Sequence, residues 1–137
     1  MMKNPKSRLF EPIPQEVEVK AKVVLDAAFR VHSALGPGLL ESVYETCLAY
    51  EVRESGLHVE TQVLLPVEYK GVCVEAGLRL DMLVENCLII EVKAVEELKP
   101  IHDAQLLTYL RTAQVRLGFL INFNVLRLKD GIKRMVV

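Results

Sequence analysis

The chain has 137 residues, with 17 basic and 18 acidic side chains and a formal charge of −1. That length suits one domain with a real core and excludes two ordinary ones. A hydrophobic share of 51% excludes a disordered chain, and the charge balance excludes metal-free, charge-driven binding along a nucleic acid duplex.

Residues 1–13 are polar and proline-containing and read as a loosely held arm, without the apolar centre of a signal peptide. Residues 14–137 read as a single domain. From Pro14 a helical period sets in, with Val17, Val24, Ala27, Ala28, Val31 and Leu35 at three- and four-residue steps. Gly36-Pro37 ends it. A second helix follows Gly38 and runs to Gly56, its apolar arc formed by Leu40, Val43, Tyr44, Cys47, Leu48 and Tyr50. The period then changes to two: Val59, Thr61, Val63, Leu65 and Val67 alternate along a strand. Lys70-Gly71 is a turn, and 72–75 and 78–84 are further strand. After a turn at Glu85-Asn86 that can take in Cys87, residues 88–94 form the clearest strand. Pro100 opens a helix to about Ala113. Leu117 to Phe123 is a buried strand, and a hairpin around Asp130-Gly131 closes the chain. This order is that of a mixed α/β domain. Cys47, Cys73 and Cys87 form no metal-finger pair and read as buried thiols of a cytoplasmic protein. No apolar run approaches the ~18 residues of a membrane span.

Charges interrupt the central strands. Asp81 sits within Leu80-Asp81-Met82-Leu83-Val84, and Glu91 and Lys93 within Leu88-Ile89-Ile90-Glu91-Val92-Lys93. Such charges are costly unless paired or bound to a metal. Register decides whether they meet. A two-residue turn at Glu85-Asn86 would set Asp81 opposite Ile90, with Glu91 on the other face. A three-residue turn at 85–87 sets Asp81 opposite Glu91, Met82 opposite Ile90, Val84 opposite Leu88 and Leu80 opposite Val92. The second register satisfies core and charges together. It places Asp81, Glu91 and Lys93 on one surface, with the carboxylates about 5 Å apart at Cβ. Two carboxylates that close can share a divalent cation such as Mg²⁺, and Lys93 could serve an attacking water or developing charge. A plain cross-strand ion pair on a solvated face is the other reading. On the second helix Glu41 and Glu45 share a face, with Glu41 at the edge of the apolar arc. On the third, Gln105 and Tyr109 are four apart, and Gln105 could hold a phosphate or water, or equally cap the core by bonding backbone.

The run Gly38-Leu39-Leu40-Glu41-Ser42-Val43-Tyr44-Glu45 resembles the signature of the GxxExxY proteins, which are placed in the PD-(D/E)xK nuclease superfamily. The likeness continues through LPVEYKG, RLDMLVEN, IIEVKAV, IHDAQLLTYL and GFLINFN. It implies a restriction-endonuclease-like αβββαβ core, here with an extra N-terminal helix and a C-terminal β-hairpin. It implies that Asp81 and Glu91 bind Mg²⁺ or Mn²⁺, with the Val92 carbonyl as a further ligand. Glu41 matches the helical glutamate that completes the metal site, with Glu45 as its understudy. Lys93 is implied as the water-activating or charge-stabilising lysine, and Gln105 as the helix residue that supports the site; Tyr44 and Tyr109 look like supporting residues. The usual Pro before the first acidic strand residue is replaced by Leu80.

The expected function is a Mg²⁺-dependent phosphodiester hydrolase acting on nucleic acid, with DNA as substrate. The competing expectation is a non-catalytic interaction or homo-oligomerisation module, in which the strand after Leu117 or the C-terminal hairpin pairs with another copy. Basic residues at Lys99, Arg111, Arg116, Arg127, Lys129, Lys133 and Arg134 could form a phosphate-facing rim or a solvated edge.

Overall fold

The computed structural model describes residues 11–137. The expected arm therefore lies largely outside the described residues. Its last residues are held, not loose: the Arg116 guanidinium donates to the carbonyls of Glu11 (2.7 Å) and Pro12 (3.4 Å), and Ile13 packs on the core.

Helix α1 spans Gln15–Leu35 and α2 spans Glu41–Glu54. The α1 stripe Ala21, Val24, Ala27, Ala28 and Val31 is buried as its period requires. Gly36, at a φ of 67°, ends the helix by donating its N–H to the His32 carbonyl (2.8 Å). On α2 the buried stripe is rotated from the expected arc to Tyr44, Leu48, Ala49 and Val52, leaving Leu40 and Tyr50 exposed.

Five strands follow: β1 Val59–Tyr69, β2 Val72–Val84, β3 Leu88–Lys93, β4 Leu117–Asn122 and β5 Ile132–Val136. They form one sheet in the order β1-β2-β3-β4-β5, with β3 and β4 parallel and the other pairs antiparallel. Helix α3, Pro100–Ala113, makes the crossover between the parallel strands. Helices α1 and α2 cover one face of the sheet through Met82, Val84, Leu88, Ile90 and Val92; α3 covers the other through Leu80, Ile89 and Leu120. This is the restriction-endonuclease-like αβββαβ arrangement with its extra N-terminal helix.

Lys70 and Gly71, both at positive φ, make the tight β1–β2 turn. Residues 72–84 are one strand, not the two expected. Pro66 has no N–H to donate, and the ladder slips beside it, with Ala76 at a φ of 53° absorbing the extra residues of β2. At the chain end, β4 and β5 form the hairpin. Asp130-Gly131 is not its two-residue turn but closes a 3₁₀ turn, Leu128–Gly131, in a longer connection. Gly131 is required there by close approach, since a Cβ would run into the Asn122 carbonyl. Gly131→Ala is expected to destabilise the fold by about 1–3 kcal/mol, seen as a lower urea midpoint at unchanged slope.

Two further expectations are corrected, and one left open is narrowed. The strand after Leu117 is interior and buried throughout, so it offers no edge to a second copy. Cys73 is exposed and Cys47 and Cys87 are half-buried, so none is a fully buried thiol. Of the basic rim, Lys133 pairs with Asp103, Arg134 with Glu18, and Arg116 is spent on backbone carbonyls, which favours a solvated edge. Among the described residues no helix is long and apolar enough to cross a membrane.

Candidate metal centre

The turn at Glu85-Asn86-Cys87 sets the site. Glu85 and Asn86 take left-handed φ values of 52° and 55°, and the Cys87 N–H reaches the Val84 carbonyl at 3.0 Å. The Glu85 carboxylate accepts the His58 N–H (2.7 Å) and pairs with Lys20 (3.3 Å), which together hold its pKa below the usual range. The three-residue turn gives the register Met82↔Ile90, Leu83↔Ile89, Val84↔Leu88.

The regular ladder stops at Met82–Ile90, and there the strands separate around the two carboxylates. The Asp81 N–H donates to Glu91 Oε2 at 3.0 Å, and the Val92 N–H donates to Asp81 Oδ2 at 3.0 Å. Each side chain thus fills the hydrogen-bonding place that the other strand would have supplied. The expected pairing of Leu80 with Val92 is absent: Leu80 packs under α3, Val92 under α1 and α2.

The reason lies in β1. Gln62, opposite Asp81, takes a φ of 54° and makes no ladder pair, while Thr61↔Met82 and Val63↔Leu80 do. Val59, Met82 and Val84 face α1 and α2, whereas Val63, Leu65, Leu78 and Leu80 face α3. The β1–β2 ribbon therefore exchanges faces at Gln62 and Asp81, and the strict alternation expected from the sequence does not hold across that point.

Glu91 is 3% exposed. Burial, the hydrogen bond with Asp81 and the charge of Asp81 push its carboxyl up to about 9, against the smaller opposing effects of the Asp81 N–H and of Lys93. Lys93, half-buried at the end of β3, makes no ion pair among the described residues, yet its charge is felt at Glu91.

Helix α2 supplies the flank. Tyr44, fully buried, stacks on Phe123 at 4.7 Å, donates its hydroxyl hydrogen to the Gly36 carbonyl (2.6 Å) and accepts the Leu39 N–H (3.1 Å). It fixes the loop that launches α2, and so places Glu41 at the first turn of that helix. Tyr44→Phe keeps the ring but strands two backbone groups, and is expected to lower unfolding free energy by about 1–3 kcal/mol in a urea titration. Glu41 Oε2 accepts the Ala94 N–H at 3.3 Å, just past Lys93. Glu45, one turn on, accepts from Gln62 Nε2 (2.6 Å); burial, with the charges of Asp81 and Glu41 adding to it, pushes its carboxyl up.

Helix α3 supplies Tyr109, whose hydroxyl is pushed up by burial and then by the charges of Glu91 and Asp81. Gln105 is not brought to the carboxylates by any hydrogen bond. It lines an exposed groove of about 400 Å³ with Val67, Gly77, Leu78 and Tyr109. Asn122, buried at the end of β4, receives the Val95 N–H (3.1 Å) and donates to its carbonyl (2.9 Å), pinning the chain as it leaves β3. Sequence reasoning passed over Gln62 and Asn122. A polar residue ending a buried strand was the available signal for Asn122; nothing in the pattern marks Gln62.

The site thus lies at the C-terminal end of β3, where parallel strands commonly present ligand sites. Comparison with family models matches residues 18–135 to the PD-(D/E)XK nuclease superfamily. The chain belongs to that superfamily. Its members are nucleases that generally use divalent metal ions, so the nuclease type and a nucleic acid substrate come with membership. Comparison with curated proteins and with solved structures gives no significant match. The donor set fits the superfamily's chemistry: two carboxylates side by side, one of them pushed up by its burial and then by its neighbour, suit a hard cation that keeps several waters. Among the described residues no three acidic, imidazole or thiol groups converge on one point; Glu41 stands on the flank of the pair, engaged with Ala94.

Proposed function

We propose that the protein is a Mg²⁺- or Mn²⁺-dependent phosphodiester hydrolase acting on DNA, of the GxxExxY type, working in the cytoplasm. The observation that carries this reading is the interlocked Asp81–Glu91 pair with Lys93 beside it, at the end of β3 in a chain of this superfamily. Asp81 and Glu91 would hold the cation, with the Val92 carbonyl as a further oxygen ligand and Glu41 joining from α2. Bound there, the cation would polarise a phosphoryl oxygen and lower the pKa of a water. Glu91 would take this role as the carboxylate. Lys93, unpaired and half-buried, orients the attacking water and meets the negative charge that gathers on phosphorus. Glu45 and Gln62 brace the α2 flank, and Gln105 and Tyr109 the α3 flank.

The test is cleavage of labelled single- and double-stranded DNA and RNA with Mg²⁺ or Mn²⁺, and with chelator. Metal-dependent DNA cleavage is expected; activity unaffected by chelator would contradict it. One observation favours a second reading, a non-catalytic module. Each carboxylate accepts a backbone amide of the opposite strand, a bond that holds the strand junction together whatever else the pair does. That reading requires no divalent-cation affinity.

A further inference from the structure

The β1–β2 ribbon exchanges faces at a residue that resists the backbone conformation required. Gln62 takes a φ of 54°, a left-handed conformation that glycine and asparagine adopt readily and glutamine does not. Such a conformation persists only where the surroundings hold it. Two side-chain bonds tie β1 to α2 at this place. The Arg53 guanidinium donates to the Val59 carbonyl at 2.9 Å, and Gln62 Nε2 donates to Glu45 Oε1 at 2.6 Å. Between helix and strand lies an open groove of about 240 Å³, lined by Glu45, Thr46, Ala49, Arg53, Thr61 and Gln62. Thr61 and Gln62 are both exposed, so the bond to Glu45, rather than close packing, holds the strand at Gln62. Immediately beyond, Val63 and Leu65 pack under α3. Glu45 itself follows Tyr44, whose bonds to Gly36 and Leu39 fix the start of α2.

The same point governs β2. Gln62 stands opposite Asp81, between the pairs Thr61↔Met82 and Val63↔Leu80. Leu80 packs under α3 and Met82 under α1 and α2. Asp81 lies where the ribbon turns over, and its carboxylate enters neither helix layer. It reaches across the junction to the Val92 N–H, while the Asp81 N–H meets Glu91. We infer that Gln62 is a positioning residue for the acidic pair: its amide, held by Glu45, keeps the left-handed turn of β1 that sets Asp81 against Glu91. Its bearing on a cation rests on the metal-site reading above; its bearing on the strand junction does not.

The experiment compares wild type, Gln62→Gly, Glu45→Ala, Glu45→Gln and the double variant Gln62→Gly/Glu45→Ala. Glycine takes the left-handed φ without strain, so Gln62→Gly removes the amide and spares the fold. Amide hydrogen exchange is followed by NMR in chelator, and Mn²⁺ affinity by calorimetry. In Gln62→Gly and in Glu45→Ala, exchange at Asp81 and Val92 is expected to quicken about tenfold, with the β3–β4 ladder unchanged. The double variant should be no faster than either single one, because both remove the same bond. Glu45→Gln keeps an oxygen to accept from Gln62 and should exchange as wild type does. Mn²⁺ affinity should fall about tenfold in Gln62→Gly, following the junction. Wild-type exchange and Mn²⁺ affinity in Gln62→Gly would overturn the assignment and leave the metal site standing. So would additive effects in the double variant, or faster exchange throughout the sheet, the mark of a merely structural role. Wild type that binds no Mn²⁺ removes the metal-site reading, and the exchange rates at Asp81 and Val92 still decide the role of Gln62.

Discussion

Lys93→Ala and Asp81→Ala are each expected to lower metal-dependent DNA cleavage by about 10²–10³-fold, the scale for removing one group that stabilises transition-state charge. The two should differ in origin. Asp81 shares its site with Glu91 and holds the Val92 N–H, so its loss should also weaken Mn²⁺ binding. Lys93 makes no ion pair, so its loss should leave Mn²⁺ affinity level or tighter while kcat falls. Steady-state kinetics beside calorimetry separates these outcomes. Equal cleavage by both variants and wild type would trace the activity to a contaminant.

The second large effect is on stability against pH. Glu91 is pushed to about 9 in the folded protein, from an ordinary value near 4.5. Between those values the folded chain binds a proton that the unfolded chain does not. Stability of the metal-free protein therefore falls as pH rises through that window, and the contribution is fully present only below it. Glu91→Gln, which cannot ionise, should flatten the decline and be the more stable protein at pH 9 in chelator, read as Tm against pH. A bound cation reverses the sign for wild type: it takes the place of the proton, so metal affinity and metal-induced stabilisation should both grow with pH. Glu91→Gln should lose that gain.

Much of this site was legible because apolar partners fix register. Leu88 and Ile90 can be buried together with Val84 and Met82 only if the turn holds Glu85, Asn86 and Cys87, and that turn carries Asp81 to Glu91. The helix limits at Gly36 and Pro100 were legible for a similarly local reason. The exchange of faces at Gln62 was not. The sequence keeps a period of two on both sides of it, and a non-glycine residue at positive φ leaves no mark in hydropathy. The rotation of the α2 stripe escaped notice because Leu40, Val43 and Tyr50 are as apolar as the residues buried in their stead. Gln105 shows the opposite case. A motif places it on α3, where it lines a groove beside Tyr109, whose hydroxyl feels the charges of the acidic pair.

The central claim is that Asp81 and Glu91 together hold a divalent cation. Calorimetric titration of wild type with Mn²⁺ at pH 8, run in two buffers of different ionisation enthalpy, tests it directly. The expected result is a single class of site whose filling releases protons, absent in Asp81→Asn. No binding by wild type, or undiminished binding by Asp81→Asn, would contradict it.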